Sequence, residues 1–502
     1  MISYCLFSNK GSIQMKPIVL CILDGVGISS KKRHNAVALA RMPFYDKLLK
    51  KYPNSKIKTS GHAVGLPHDV MGNSEAGHLT IGSGRVINQF IRNFELLQFE
   101  KNEPIYDFIH SVKQDNGIVH VVGMMSDGRV HSDVNDIIKI MKYVAKQGLR
   151  MCIHFIADGR DTPPQSAQKY IKLIRKKLSR EFRHDSVFFG TLSGRYYTMD
   201  RNKNMDRTEL AFDAIAKGKS QYHAKTIDDA LADAYARGET DEFIKPVVIE
   251  PTKITKHDGL LFCNYRGDRA RQILREIIKT KCHILCFSQY GEGLNEICPA
   301  IIKDEVIENT LGDILAQNGK TQLRIAETEK YNHVTYFMDA GRNIDYKGEE
   351  KVLIPSPSVE TFDKKPEMSA NEITDALLKR LSKFDVVILN YANGDMVGHT
   401  GNESAAIKAM ECLDKQLSRI VPAVLKLNGV VLVVADHGNA EEMWNNENNT
   451  PLTSHTTNPV RFVIVSKAEF VAHDGELSDI APTILKLLHI KQPDDMTGRP
   501  LI

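Results

Sequence analysis

Runs of consecutive β-branched and apolar residues that stop abruptly on a few polar ones constrain this chain most. "VLVVADHGN" (431–439) is apolar on both faces and then delivers Asp436, His437 and a glycine. A half-exposed strand would alternate, so a continuous run of this kind reads as a central parallel strand covered by helices. Two more runs end the same way. "KPIVLCILDGVG" stops at Asp24, and "FDVVILNYANGDMVGHTG" leads to Asp395 and His399 in a Gly-rich loop.

A second set of runs, in the middle of the chain, ends in arginines. "GIVHVVGMMSDGRVHSD" places Arg129 and His131 after a strand, and "MCIHFIADGRDTPP" places Arg160 and Asp161. "SVFFGTLSGRYYTMDR" adds Arg195 and Arg201, and "GLLFCNYRGDRARQ" adds Arg266, Arg269 and Arg271. Each loop precedes a stretch with helical character, so these are β-loop-α units whose loops gather beyond the carboxyl ends of the strands. The class is α/β. Acidic units lie at both ends and arginine units between them. This predicts one α/β domain, residues 1–88 and 306–502, interrupted by an inserted α/β domain at 89–305.

A chain of 502 residues, 42% hydrophobic and 25% charged, is long enough for two cores. Its 66 basic and 62 acidic residues nearly cancel to +4, which excludes a general nucleic-acid or membrane surface. "PIVLCIL" and "VVLVVA" fall well short of the roughly 20 apolar residues a membrane span requires. The eight cysteines include no Cys-x-x-Cys pair, so neither a zinc ribbon nor a disulfide framework is indicated and a reducing cytoplasm fits. Cys282 and Cys286 flank an apolar "HIL" and read as strand interior. Residues 1–14 lack a basic start and a cleavage pattern, so they read as a disordered leader or start-site artefact ahead of Met15.

Asp436-His437 alone could simply end a strand. Asp24, Asp395, His399 and His455 (in "PLTSHTTNP") bring the set to three carboxylates and three imidazoles. That exceeds one ion's needs. Mixed oxygen and nitrogen donors suit Mn²⁺ or Zn²⁺ better than Ca²⁺, and two ions commonly clamp a phosphoryl displacement. "DVMGNSEAGHLTIGSG" offers Ser74 as nucleophile at the start of a short helix, where backbone N–H groups can bind phosphate oxygens. An ordinary helix N-cap, with Glu75 and His78 on the surface, is the alternative.

Arginines on four loops at one sheet edge form a small-anion clamp, since each guanidinium can hold a phosphate or carboxylate bidentately. The absence of basic stripes with interleaved aromatics argues against an oligonucleotide. Asp161 is either a structural partner of the arginines or an acid/base near a substrate hydroxyl. Metal and nucleophile in one domain with a clamp in the other imply a reaction in a cleft that closes against water.

From about Lys16 to the C-terminus the chain resembles the 2,3-bisphosphoglycerate-independent phosphoglycerate mutases of the alkaline phosphatase superfamily. The resemblance rests on "ILDGVG", "MGNSEAGH", "DGRVHSD", "ADGRDTPP", "GRYYTMDR", "RGDRARQ", "LRIAETEKY", "PSPSVETFDKKPEMSA", "NGDMVGHTGN", "ADHGNAEEM" and "SHTTNPV". It implies an alkaline-phosphatase-like metal domain interrupted by a transferase domain, acting as a monomer on 3- and 2-phosphoglycerate in glycolysis. By the resemblance Ser74 becomes phosphoserine. Asp395, His399 and His455 bind one Mn²⁺, and Asp24, Ser74, Asp436 and His437 the other, with Mg²⁺, Co²⁺ or Zn²⁺ as alternatives. His131, Arg160, Asp161, Arg195, Arg201, Arg266, Arg269 and Lys330 surround substrate, with Asp161 handling the proton. The chain departs from the family pattern at Val26, Gly267 and Gly394, and the two glycines are expected to loosen their loops. A plain phosphomonoesterase, a phosphopentose mutase and a non-catalytic binding protein are the competing readings.

Overall fold

The computed structural model describes residues 16–178, 186–303, 305–446 and 449–502. The leader expected at 1–14 lies outside the described residues. The chain divides into two compact units. One runs to Arg92 and resumes at Val306–Ile502; the other is Asn93–Glu305. The first crossing therefore falls at Arg92 rather than at 88.

In the first unit an eight-stranded sheet is ordered Glu349–Ile354, Gln322–Glu327, Val386–Tyr391, Ile18–Leu23, Val430–Val434, Val460–Val465, Asn54–Lys58, Gly475–Glu476. The first five strands are parallel, and Val460–Val465 runs antiparallel to both of its neighbours. Ile18–Leu23 sits between Val386–Tyr391 and Val430–Val434, and every residue of these three strands is buried. That explains their uninterrupted apolar character. The 24-residue helix Glu403–Lys426, N-capped by Asn402, buries an apolar stripe that includes Ala406, Leu413 and Leu417 in the same core.

In the second unit the order is Ala300–Ile302, His283–Ser288, Gly259–Phe262, Val119–Met124, Met151–Ala157, Val187–Gly194, Val247–Val248, Tyr222–His223. The first six strands are parallel. The four arginine-bearing loops follow four adjacent strands and so leave the sheet at one edge. Cys286 lies within its strand, whereas Cys282 precedes it. Among the described residues no helix is long and apolar enough to cross a membrane.

Candidate active site

Three neighbouring parallel strands set the carboxylates of the first unit. Asp24 follows Leu23, Asp395 lies four residues beyond Tyr391, and Asp436 lies two beyond Val434. Close approach of two turns brings them together. A Cβ on Gly25 would lie 2.5 Å from Asp395 N, and one on Gly394 would lie 2.5 Å from Asp24 O. Gly394 thus permits close approach of the two turns that carry Asp24 and Asp395. Gly267 likewise permits a close approach, where a Cβ would meet the backbone of Tyr290 at 2.9 Å.

The segment expected as a Gly-rich loop is a short helix, Asn393–Gly398, with His399 as its C-cap. Its four-residue spacing puts Asp395 and His399 on one face, with His399 Nε2 3.1 Å from Asp395 Oδ1. His455 Nε2 lies 3.0 Å from the same oxygen and 3.0 Å from His399 Nε2. The other ring nitrogens are occupied elsewhere: His399 Nδ1 is 2.6 Å from Thr453 O and His455 Nδ1 is 2.8 Å from Gly72 O. Each Nδ1–H that donates to a carbonyl leaves an Nε2 lone pair facing Asp395. Two such lone pairs beside a carboxylate oxygen are a cation-binding arrangement.

The second group is Asp24, Asp436 and His437, whose donor atoms lie within 4.8 Å of one another. All three are fully buried. His437 Nε2 is 3.3 Å from Asp24 Oδ1 and 3.5 Å from Asp436 Oδ2. Asp436 Oδ2 lies 3.3 Å from His78 Nδ1, but that nitrogen is directed at Ser74 O, 2.9 Å away, and Oδ2 has no hydrogen-bond partner. A buried, unsatisfied carboxylate oxygen is costly, and a divalent cation would satisfy it. The donor sets of both groups therefore fit metal.

Ser74 opens the helix Ser74–Ser83 as its first residue. Asn73 is the N-cap, accepting from Ala76 N at 2.9 Å. Capping is thus done by the neighbour, and the serine hydroxyl is left for the site. Ser74 Oγ lies 2.9 Å from His437 Nε2, 3.3 Å from Asp24 Oδ1 and 2.7 Å from Lys330 Nζ. Lys330 follows strand Gln322–Glu327 and is buried. Its Nζ donates to Asp24 Oδ1 at 2.9 Å and to Asp395 Oδ2 at 2.6 Å, so it bridges the two groups. The resemblance grouped Lys330 with the arginines; the structure puts it beside the serine.

These charges govern one another. Burial works against ionised Asp395, but Lys330 and the surrounding imidazoles hold its pKa well below the usual range. Burial and the neighbouring Asp436 oppose ionisation of Asp24, and Lys330 together with a His437 hydrogen bond brings its pKa down. Burial likewise disfavours a charged His437, yet Asp436 and Asp24 raise it to about 10. Lys330 and a protonated His437 supply positive charge among these carboxylates.

In the second unit Arg195 is 3% exposed and its Nη1 donates to Asp158 Oδ1 at 2.8 Å and Asp161 Oδ2 at 2.5 Å. Arg160 pairs with Glu242, and Arg201 with Asp268 at 2.8 Å. Burial, and then Arg201, Arg195 and Arg160, lower the pKa of Arg269, so these guanidiniums share one locality. His131 belongs to it: burial first and then Arg195 depress its pKa to about 4, with Arg266 acting in the same sense, and its buried Nδ1 has no hydrogen-bond partner. The loops thus concentrate positive charge around a neutral imidazole.

His78, Asn390, Glu441 and Asp158 are among the residues of these sites that escaped sequence reasoning. His78, expected on the surface, is fully buried, with Nε2 3.0 Å from Asn390 Nδ2. Asn390 in turn donates to Asp24 Oδ2 at 2.8 Å. Glu441 takes hydrogen bonds from Gly27 N, Asn439 N and Asn458. Asp158 anchors Arg195. The four-residue step from Ser74 to His78 on one helix was the available signal.

Comparison with known proteins gives a consistent result. Residues 16–492 match the Metalloenzyme superfamily. The 2,3-bisphosphoglycerate-independent phosphoglycerate mutase 1 of Methanosarcina acetivorans is 43% identical, covering 97% of this chain and 98% of its own. The corresponding enzyme of Pseudomonas fluorescens is also 43% identical, covering 97% and 99%. Among solved structures, phosphoglycerate mutase of Leishmania mexicana at low cobalt concentration matches with a TM-score of 0.71 and 28% identity, over 97% of this chain and 98% of that one.

Proposed function

Since the chain belongs to the 2,3-bisphosphoglycerate-independent phosphoglycerate mutase family, we propose that it is an isomerase interconverting 3-phosphoglycerate and 2-phosphoglycerate through a phosphoserine on Ser74. The observation that carries the reading is the position of Ser74 Oγ, within 3.3 Å of Asp24, His437 and Lys330 at the first turn of a helix.

Asp395, His399 and His455 would hold one divalent cation, and Asp24, Ser74, Asp436 and His437 a second. Manganese suits the mixed oxygen and nitrogen donors. When bound, the cations lower the pKa of the serine hydroxyl and neutralise charge on the transferring phosphoryl group.

The protein's own groups supply the rest. The N-terminal N–H groups of helix Ser74–Ser83 face an incoming phosphoryl oxygen. Lys330 donates to Ser74 Oγ and keeps positive charge where the phosphoryl group arrives. Arg160, Arg195, Arg201, Arg266 and Arg269 hold the carboxylate and phosphate of the substrate. His131, kept neutral, can donate to or accept from a glycerate hydroxyl. Asp161 takes the proton from the hydroxyl that attacks phosphoserine and returns one to the hydroxyl that leaves. Arg195 orients Asp161 for this exchange. The seven described cysteines are all free, which supports work in a reducing compartment.

Phosphorus NMR tests the proposal: protein, Mn²⁺ and 3-phosphoglycerate, without 2,3-bisphosphoglycerate. Appearance of 2-phosphoglycerate is expected. Release of inorganic phosphate alone would instead make the site that of a phosphatase.

A further inference from the structure

A second set of metal-type ligands lies inside the unit Asn93–Glu305, apart from the chemistry above. His120 and Cys152 are register partners on adjacent parallel strands, and His154 follows Cys152 by two residues. All three therefore project from one face of the sheet. Each is at most 1% exposed. His120 Nδ1 lies 2.9 Å from His154 Nε2, and Cys152 Sγ lies 3.6 Å from that same nitrogen. The three donor atoms fall within 4.8 Å of one another.

The sheet is shaped around this trio. Its register shifts between Ile153 and His154, opposite Gly190. A Cβ on Gly190 would fall 2.4 Å from Cys152 Sγ, so glycine leaves the sulfur its position. His154 Nδ1 lies 3.0 Å from Thr191 Oγ1; donation there fixes the ring and turns the Nε2 lone pair toward the sulfur. Burial lowers the pKa of both imidazoles, His120 to about 4, so neither carries charge at neutral pH. His120 Nε2 is buried without a hydrogen-bond partner.

We propose that His120, Cys152 and His154 form a binding site for one monovalent copper ion. Thiolate and imidazole are soft and intermediate donors that select such a cation. Charge decides against zinc. A thiolate cancels the charge of Cu⁺, whereas Zn²⁺ would leave one net positive charge on the buried trio and would want a fourth ligand. Thr252 Oγ1 lies 3.5 Å from Sγ. On binding, the Cys152 S–H bond breaks and its proton passes to solvent as the S–Cu bond forms. Before binding, His120 Nδ1–H donates to the His154 Nε2 lone pair; on binding that ring proton moves to His120 Nε2, which frees Nδ1 to ligate. No electron changes hands.

The test uses the full chain with its divalent sites filled by Mn²⁺, titrated anaerobically with Cu⁺ against a chromophoric Cu⁺ chelator. One Cu⁺ per chain is expected, with X-ray absorption showing one sulfur and two nitrogen ligands. Cys152→Ser should remove the sulfur, and His154→Gln or His120→Gln should weaken binding by more than roughly tenfold, while Cys286→Ser changes nothing. Retention of copper with sulfur ligation in Cys152→Ser would overturn the proposal, as would preferential uptake of Zn²⁺ by the trio. Should Cys152→Ser fail to fold, unaltered affinity in the two histidine variants decides against it.

Discussion

Lys330 Nζ lies 2.7 Å from Ser74 Oγ although 256 residues separate them in the chain. The same ammonium contacts a carboxylate from each ligand group. Under the proposed function, a cation in that place would act on the charge that develops at the serine, and substrate recognition would fall to the arginines. Lys330→Met should lower kcat by about 10²- to 10³-fold, the usual loss when one positioned donor to developing charge is removed. KM should change little, and steady-state kinetics separate the two.

Under the proposed function, Ser74→Ala would remove the phosphoryl acceptor and leave the other residues of both groups in place. Turnover should vanish while metal content, measured by elemental analysis, stays within one ion of the parent. Intact-mass spectra after mixing with substrate should show a phosphate adduct in the parent and none in the variant. Comparable residual turnover would place the nucleophile elsewhere.

Gly394→Ala tests the close approach of the two ligand-bearing turns. The added methyl meets Asp24 O at 2.5 Å, so backbone must move. A destabilisation of about 1–3 kcal/mol is expected for overpacking of this kind, read as a shift in the denaturation midpoint together with weaker metal retention. An unchanged midpoint would mean that the turns give way freely.

Metal uptake should release protons. Without metal, His437 has its pKa raised to about 10 and carries a proton at pH 7 that it must lose to ligate. Affinity therefore rises with pH across the neutral range. Calorimetric titration in buffers of different ionisation enthalpy should show release of at least one proton for the pair of ions, and no buffer dependence would contradict the charge balance described above.

Glu327, fully buried at the end of strand Gln322–Glu327, gives a pH dependence of stability. Burial raises its pKa from 4.5 to about 7, against opposing hydrogen bonds from Ser356 and Ser369. The folded state therefore binds the proton more tightly than the unfolded chain. Stability is present below pH 4.5 and is lost as pH rises to about 7, by up to about 3 kcal/mol. Glu327→Gln should flatten urea-denaturation stability across that window relative to the parent. Parallel profiles would show that Glu327 ionises normally.

The sequence revealed Asp24, Asp395 and Asp436 because each follows a strand buried on both faces, where polar residues appear only at the tip. Strand Gln322–Glu327, which leads to Lys330, was hidden for the opposite reason. It carries Arg324, fully buried, whose guanidinium is satisfied by Val334 O at 2.8 Å, Gln322 Oε1 at 3.0 Å and Asp339 at 3.2 Å. A paired arginine inside a strand breaks the apolar run that pattern reading depends on. Asn390 was invisible because its partners, Asp24 and His78, lie far along the chain. The arginine loops were legible as a set, but their carboxylate partners Asp158, Glu242 and Asp268 were not. Spacing carries no record of which acid neutralises which base.

The strand Ile18–Leu23 lies between Val386–Tyr391 and Val430–Val434. A strand that leaves the ribosome before the inserted unit is therefore bounded on both edges by strands made after that unit. At roughly 5–20 residues per second its hydrogen-bonding edges stay unpaired for tens of seconds. During that time the whole of the compact unit Asn93–Glu305 has emerged. Aggregation during translation is consequently a hazard of the discontinuous unit, and a chaperone that shields this one short apolar strand would protect the nascent protein more than one acting on the inserted unit.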